Sequence, residues 1–170
     1  MSEVLVRRLV APDAATFRAI RLEALRLEPA AFCASHDVEA AAPLEMFAER
    51  LERNAVFGAF DDGSILGLAG FLIADAATPQ RRGVLWGMYV RSGAQKRGIG
   101  SALVAAVIDH ARTVVDTLTL GVVKENVAAQ QLYERHGFRE TGLDRRVLPD
   151  GRAITEVLMA LRIQGGKATA

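Results

Sequence analysis

A strand, a loop with two glycines, a helix and a second strand follow one another in the middle of the chain. The pattern predicts strands over Gly83–Val90 and Thr117–Val123, with a helix over Gly98–Thr113 between them. Such a βαβ crossover makes its two strands parallel and is right-handed in nearly all cases. The loop before the helix then lies at the carboxyl ends of the strands, where ligands often bind. We therefore expect the functional site at this loop.

The elements before and after this unit are predicted to complete a mixed sheet. A tight turn at Asp62-Gly63 joins two of the strands, because glycine tolerates the positive φ that such hairpins need. A turn at 149–151 joins the last two strands. The other predicted strands are Val4–Val10, Ala55–Asp61, Ser64–Ala74, Arg139–Leu148 and Arg152–Arg162, and the other predicted helices are Ala14–Leu27, Pro43–Glu52 and Val127–His136. We expect Asp13 to cap the first helix and Cys33–Ala42 to lack a regular element.

The length of 170 residues fits one compact domain. We predict a single domain over residues 1–163 and a frayed tail over residues 164–170. Hydrophobic residues make up 51% of the chain, which is enough for a sizeable core. This composition excludes a disordered or collagen-like protein.

The charge balance and the cysteine content limit the partners and the compartment. The chain has 21 basic and 20 acidic residues, so it carries no overall field that would favour nucleic acid or a membrane surface. Its single cysteine, Cys33, excludes an internal disulfide and fits a reducing compartment. The longest uncharged apolar run, Ile65–Ala74, is shorter than the roughly 20 residues that a membrane-spanning helix needs. We therefore expect a soluble, cytoplasmic protein.

The loop of the βαβ unit combines glycines with basic residues. Its consecutive residues are Gln95, Lys96, Arg97, Gly98, Ile99, Gly100 and Ser101. The glycines let the backbone approach a ligand closely, and the N–H groups at a helix start lack partners. With the helix dipole and the two cations, such a loop suits a pyrophosphate. A helix that simply begins in a solvated basic loop is the alternative interpretation.

Two other nucleotide-binding motifs do not fit this loop and helix. Gly93 and Gly98 have the spacing of a Walker P-loop, but Ile99-Gly100 stands where that motif needs Lys followed by Ser or Thr. A dinucleotide-binding fingerprint needs Gly or Ala where this chain has Leu103. It also needs an acidic residue at the end of the second strand, whereas Asp116 precedes that strand. Neither an NTPase nor a nicotinamide-dependent dehydrogenase is expected.

A second motif follows the second strand of the unit. Residues Asn126–Phe138 combine an asparagine before the helix, a Leu-Tyr pair within it and a final Gly-Phe. Together with the strand Leu85–Val90 and the loop Gln95–Gly100, this motif closely resembles the GNAT superfamily of N-acetyltransferases. The motifs cover Gly83 to Phe138, and the order of strands and helices is similar over nearly the whole chain.

The resemblance implies a fold, a reaction and a set of cofactor contacts. The implied fold is α/β (α+β), with a mixed, mostly antiparallel central sheet, a parallel βαβ cofactor-binding unit and flanking helices. The implied reaction is direct transfer of an acetyl group from acetyl-CoA to an amine. In similar proteins, the backbone at positions matching Met88, Tyr89 and Val90 pairs with the pantetheine arm. Residues Gln95–Ser101 would hold the pyrophosphate, and Asn126 matches the residue that contacts the pantetheine or thioester end.

The resemblance also assigns a chemical role to Tyr133, which matches the tyrosine proposed to protonate the departing thiolate. With reference pKa values near 10 for a phenol and near 8.5 for a thiol, this donation is uphill by about 1.5 units. Either the helix start lowers the pKa of the phenol, or the hydroxyl stabilises the thiolate by a hydrogen bond. Structural roles stay open as well: Tyr133 suits a buried aromatic position, and Asn126 suits a helix cap.

The residues do not single out a general base. Several similar enzymes carry a glutamate on one of the two central strands, but here Val84–Val90 and Leu118–Val123 contain no carboxylate. An alkylammonium group with a pKa near 10.4 must lose a proton before it can attack. Glu39, Glu45 and His36 are candidates, and nothing in the sequence selects one of them.

The acceptor and the partners stay open. We expect a small-molecule amine or a peptide, with its determinants in the loop-rich segments Pro29–Glu52 and Arg139–Arg152. A homodimer is left open. No metal is expected, because His110 and His136 have no partners at metal-ligand spacing. The alternative function is a non-catalytic acyl-CoA-binding sensor, which would explain why no base is evident.

Overall fold

The computed structural model describes residues 3–32, 34–74 and 79–163. The strands are β1 (Leu5–Arg8), β2 (Ala55–Asp61), β3 (Ser64–Ile73), β4 (Arg82–Val90), β5 (Thr117–Val123), β6 (Arg139–Val147) and β7 (Ala153–Arg162). The α-helices are α1 (Ala14–Leu27), α2 (His36–Ala40), α3 (Leu44–Arg53), α4 (Ile99–Ala111) and α5 (Val127–Arg135). Cys33 and the tail predicted at 164–170 lie outside the described residues.

The strands form one sheet in the order β1-β2-β3-β4-β5-β7-β6. The pair β4 and β5 is parallel and is connected through α4, whereas the other neighbouring pairs are antiparallel. This topology confirms the predicted mixed, mostly antiparallel sheet with one parallel βαβ unit.

Both faces of the sheet are covered by helices, each over its own hydrophobic core. One face packs on α4 and α5 through buried residues such as Leu103, Leu118 and Phe138. The opposite face packs on α1 and α3, where the rings of Phe17 and Phe47 meet edge to face at 5.8 Å. Each of these fully buried side chains contributes on the order of 2 kcal/mol. The two cores hold the sheet between helices and fix the direction of its central strands.

A β-bulge bends β4 halfway along its length. The pairing with β3 joins Leu68 to Tyr89 and then Gly70 to Trp86, so two residues of β4, Gly87 and Met88, lie opposite one residue of β3. Gly87 has a φ of +65°, a left-handed conformation that glycine adopts without a steric penalty. Such an insertion bends the strand that carries it.

The parallel pair β4 and β5 separates before the bulge is reached. Their pairing begins at Arg82 with Thr117 and ends at Val84 with Thr119. The carboxyl halves of both strands therefore diverge, since β4 bends away while β5 stays paired with β7 as far as Val123. The gap between them is where the sequence predicts the site.

One helix was not predicted. The short α2 lies within the segment expected to be irregular, and its start is capped by Ser35, whose Oγ accepts a hydrogen bond from the Val38 N–H at 3.5 Å. Its single turn is too short to show a hydrophobic period in the sequence. Among the described residues, no helix has the length and apolar character that crossing a bilayer requires.

The predicted cap on α1 is wrong. A 3-10 turn at Ala11–Asp13 precedes the helix, and Asp13 makes no side-chain capping bond to it. Its carboxylate instead accepts hydrogen bonds from the Val10 N–H at 2.8 Å and from the Arg7 guanidinium at 2.9 Å. Donors that precede the helix therefore occupy the carboxylate oxygens that a cap would use.

Candidate active site

The gap between β4 and β5 opens into a cleft of about 550 Å³. It is bounded by the carboxyl halves of the two strands, by the start of α4 and by α5. The residues of the sequence prediction that line it are Met88, Tyr89, Val90, Gln95, Lys96, Gly98, Ile99, Gly100, Ser101, Asn126 and Tyr133. Residues from two motifs and one strand thus meet in one place.

The free edge of β4 gives the cleft a wall of backbone groups. Residues 85–90 have no pairing with β5, because that pairing ends at Val84. Their N–H and C=O groups on this side suit an extended ligand arm that adds to the sheet as a strand does. One of these carbonyls, that of Val90, accepts a hydrogen bond from the Gln95 side-chain amide at 3.1 Å.

The start of α4 forms the basic end of the cleft. Gly98 occupies the N-cap position with a φ of +77°, and no side chain caps the helix. The first N–H groups of α4 therefore lack intrahelical partners and carry the positive end of the helix dipole. A Cβ on Gly100 would lie 3.2 Å from Met88 Cε and from Leu132 Cδ2, so a larger side chain would intrude between β4 and α5. This arrangement suits an anionic group such as a pyrophosphate.

Of the two cations in this loop, only one lines the cleft. Lys96 does so and is exposed, whereas the Arg97 guanidinium lies 3.0 Å from Asp61 Oδ2 at the end of β2. Arg97 is therefore not brought together with the other predicted residues. At the same helix start, Ser101 Oγ and His136 Nε2 lie 2.8 Å apart. Burial and the charge of Arg135 lower the pKa of His136, which favours a neutral imidazole there.

Asn126 occupies the junction between β5 and α5. Its Oδ1 accepts a hydrogen bond from the Ala129 N–H at 3.2 Å, which confirms the capping role that its residue type suggests. The residue also lines the cleft, and the capping bond uses only its carbonyl oxygen. Its side-chain NH₂ group is a separate donor that a ligand could engage while the cap stays in place.

Tyr133 lies on the α5 side of the cleft and is 5% exposed. Its ring meets Phe138 edge to face at 5.8 Å, and its hydroxyl makes no hydrogen bond within the described residues. Burial raises the pKa of the phenol. Burial thus works against a lowered phenol pKa, and hydrogen bonding to a thiolate is the route that fits this environment.

None of the three predicted base candidates lines the cleft. Glu39 is buried against Arg21 and Arg50, with oxygen-to-nitrogen distances of 3.1 to 3.2 Å. Burial alone would raise the pKa of this carboxyl, but its bonds to the two guanidinium groups outweigh that effect and lower it. Glu39 is therefore held as a structural ion. Glu45 and His36 belong to α3 and α2, outside the cleft wall.

The cleft is also lined by residues outside the predicted site, among them Glu28, Phe32 and Trp86. Glu28 follows the last residue of α1. The sequence carries one signal for it, because Pro29 ends the helix there and begins a segment expected to contact the acceptor. In the described part of the chain, no three His, Cys, Asp or Glu residues form a group that could hold a metal ion.

Known proteins share this fold and part of this sequence. A stretch of 78 residues is 40% identical to mycothiol acetyltransferase of Beutenbergia cavernae and represents 45% of this chain. That stretch spans only a quarter, 25%, of the length of this relative. The ribosomal-protein-alanine N-acetyltransferase of Brucella melitensis is 27% identical, with a TM-score of 0.80 over 93% of this chain and 99% of its own. The Salmonella typhimurium protein yncA, solved with its cofactor acetyl-CoA, is 22% identical, with a TM-score of 0.76 over 99% of both chains.

A family model gives the assignment. The model of the acetyltransferase (GNAT) family matches residues 20–138, which include the second half of α1, the diverging strands, the start of α4 and the whole of the second motif. The chain therefore belongs to the GNAT family of acetyltransferases.

Proposed function

We propose that the protein is an acetyl-CoA-dependent N-acetyltransferase that moves the acetyl group directly to a primary amine of a small molecule or a peptide. The observation that carries this proposal is the cleft itself, in which an unpaired strand edge and an uncapped helix start meet. The names of two similar proteins support it, since one is a mycothiol acetyltransferase and the other is a ribosomal-protein-alanine N-acetyltransferase. The net charge of +1 and the single cysteine favour a cytoplasmic enzyme without nucleic acid or membrane partners.

The residues present fit acetyl-CoA as the acyl donor. The backbone of Met88, Tyr89 and Val90 offers the unpaired edge for the pantetheine arm. The N–H groups of residues 99–101 and the ammonium group of Lys96 offer positive charge for the pyrophosphate. The NH₂ group of Asn126, which the helix cap does not use, would contact the pantetheine or thioester end.

Bound acetyl-CoA would supply an acyl group that is already activated as a thioester, so the chain needs no covalent intermediate of its own. The backbone wall of the cleft would orient the bound thioester relative to an incoming amine, which would lower the entropic cost of the reaction. The hydroxyl of Tyr133 is free to donate a hydrogen bond to the sulfur as negative charge develops there. The raised pKa of this phenol keeps it protonated, as a donor must be.

Calorimetry and a turnover assay test the proposal together. Acetyl-CoA at about 100 times its dissociation constant should stabilise the fold by about 2.7 kcal/mol, because the cleft exists only in the folded chain. CoA release would be followed with a thiol reagent over a panel of tyramine, spermidine, 2-phenylethylamine and an alanine-initiated hexapeptide, with mass spectrometry of the products. Binding without CoA release over the whole panel would instead support an acyl-CoA sensor. Absence of binding at millimolar acetyl-CoA would refute both functions.

A further inference from the structure

The central strand β5 lacks a side chain at the point where the cleft opens. Leu120 and Val122 both pack into the core beneath α4, so Gly121 between them belongs to the opposite face. Gly121 is exposed and lines the cleft. The pairing with β4 ends at Thr119, two residues earlier along β5. The position that borders the opening on this face therefore carries no functional group of its own.

A carboxylate from the neighbouring strand occupies that space. A Cβ built on Gly121 would lie 2.8 Å from Glu156 Oε2 and 3.2 Å from its carboxyl carbon. The register pairs Glu156 of β7 with Val123 of β5, which places the two side chains on the same face as Gly121. Glu156 is buried, with 7% of its surface exposed. Because Gly121 is a glycine, this carboxylate can lie directly over β5 at the edge of the cleft.

The position of this carboxylate is fixed by an ion pair. Arg146 Nε lies 2.8 Å from Glu156 Oε2 and 3.3 Å from Asp144 Oδ2. The guanidinium pairs with Glu156 in a buried place, where an unpaired carboxylate would be costly. Two carboxylates share one guanidinium, so the three groups together are net negative and favour a cation beside them.

We propose that Glu156 binds the amino group of the acceptor and takes up its proton, an inference that rests on the proposed N-acetyltransferase function. An alkylammonium group, with a pKa near 10.4, has no free electron pair for attack. One of its protons passes to the Glu156 carboxylate, directly or through one water, and from there to solvent. The freed electron pair of the nitrogen forms the C–N bond, and the C–S bond then breaks with its electrons on sulfur. The nitrogen loses its second proton in this step, and one proton is taken up by the thiolate.

This assignment gives the two faces of the sheet separate tasks. Tyr133 belongs to the core beneath α4 and α5, whereas Glu156 lies on the face that carries Gly121. The amine is then held from one side of the diverging strands and the leaving sulfur from the other. Such an arrangement keeps the proton acceptor apart from the hydrogen-bond donor, so that they do not neutralise each other.

Glu28 is the rival carboxylate, since it lines the cleft itself, whereas Glu156 borders the cleft through its contact with Gly121. It is exposed at the end of α1, and its side chain has no hydrogen bond among the described residues. A carboxylate without a fixed orientation cannot position an amine as firmly as one that is buried and ion-paired. The structure therefore favours Glu156, and the experiment includes both residues.

The test compares Glu156→Gln with Glu28→Gln and with a matched control, Glu140→Gln. Glu140 is an exposed carboxylate of β6 that pairs with Met159 on the other face. The probes are the best primary amine of the panel and its aminooxy analogue, in which –O–NH₂ replaces –CH₂–NH₂. For 2-phenylethylamine this analogue is O-benzylhydroxylamine, which is uncharged at neutral pH and needs no base to free its electron pair.

We expect Glu156→Gln to lower kcat/KM for the alkylamine by about 10²-fold, while the aminooxy analogue loses less than about threefold. The acetyl-CoA dissociation constant should not change, and Glu140→Gln should match the wild type with both probes. Equal losses with both probes would mean a structural role and overturn the inference. An unaffected Glu156→Gln, or a selective loss in Glu28→Gln instead, would do so too.

A second variant guards against misfolding of Glu156→Gln. Gly121→Val suits a strand, but its Cβ must displace the Glu156 carboxylate, and we expect the same selective loss with the alkylamine. A folded Gly121→Val that acetylates both probes as the wild type does would overturn the inference. If the wild type binds acetyl-CoA but acetylates no amine of the panel, the proposed function fails and this role fails with it. Turnover by the wild type with no selective effect in either variant would refute this role alone.

Discussion

Replacement of Tyr133 by phenylalanine should separate catalysis from stability. The ring of the variant can keep its edge contact with Phe138, because that contact does not involve the hydroxyl. The hydroxyl makes no hydrogen bond within the described residues, so its removal breaks no interaction there. We therefore expect the free energy of unfolding to stay within about 1 kcal/mol of the wild-type value.

The effect on turnover should be much larger. A hydrogen bond to a charged group contributes about 1.5 to 3 kcal/mol, and this bond would form only as the thiolate develops. Its loss converts to a decrease in kcat of about 10- to 150-fold. The affinity for acetyl-CoA should barely change, because the interaction is weak with the neutral thioester.

The assay is CoA release at saturating acetyl-CoA, together with urea unfolding and calorimetry on the same variant. Independence of kcat from solvent viscosity would establish that product release is not rate-limiting. Under those conditions, a folded Tyr133→Phe protein with wild-type kcat would remove Tyr133 from the mechanism. It would leave this residue with the packing role that its burial also allows.

Three further predictions concern the loop before α4, a buried ion cluster and a partly buried histidine. Gly100→Leu should weaken acetyl-CoA binding at least about tenfold in calorimetry, because a Cβ at this position would already contact the walls of the cleft. The control is Gly93→Leu, where the new side chain has open space and acetyl-CoA should bind as it does to the wild type. Glu39→Gln should lower the free energy of unfolding by about 3 kcal/mol and the melting temperature by about 6 to 12 °C, because it leaves the buried Arg21 without its partner charge. A melting temperature within about 2 °C of the wild-type value, which corresponds to about half a kcal/mol, would contradict this prediction. Burial and the charge of Arg8 lower the pKa of His110 below its ordinary value of 6.5. The unfolded chain therefore binds a proton at this histidine at a higher pH than the folded chain does, and stability falls as the pH drops below about 6.5. Urea unfolding at pH 7.5 and 5.5 should show a smaller pH effect in His110→Leu than in the wild type.

That the proposed cofactor-binding residues lie together in one cleft could be predicted, because their signals are contiguous in the sequence. The loop from Gln95 to Ser101 and the residues from Asn126 to Tyr133 each form one local motif, and the strand–helix–strand order brings them to one sheet edge. Strands β2 and β5 have the predicted bounds. Arg97 is the exception, because its pairing with Asp61 depends on a hairpin distant in sequence.

The acceptor half could not be predicted in the same way. The contact between Glu156 and the space above Gly121 depends on the register of β7 against β5, and no local pattern reports that register. The burial of Glu39 likewise depends on two arginines from different helices. Charged residues in loop-rich segments look alike in sequence whether they are solvated, structural or catalytic, so tertiary contacts have to distinguish them.

Because of the bulge in β4, the width of the cleft depends more on the number of residues in this strand than on their identity. The wall that we propose for the pantetheine arm is backbone, and it is exposed because Gly87 and Met88 together oppose a single residue of β3. Deleting one of them would straighten the strand and bring it back toward β5, although no group facing the ligand would change its chemistry. Substitutions along this edge should therefore be tolerated far better than insertions or deletions. Proteins can then diverge widely in sequence and still keep the same opening between these strands.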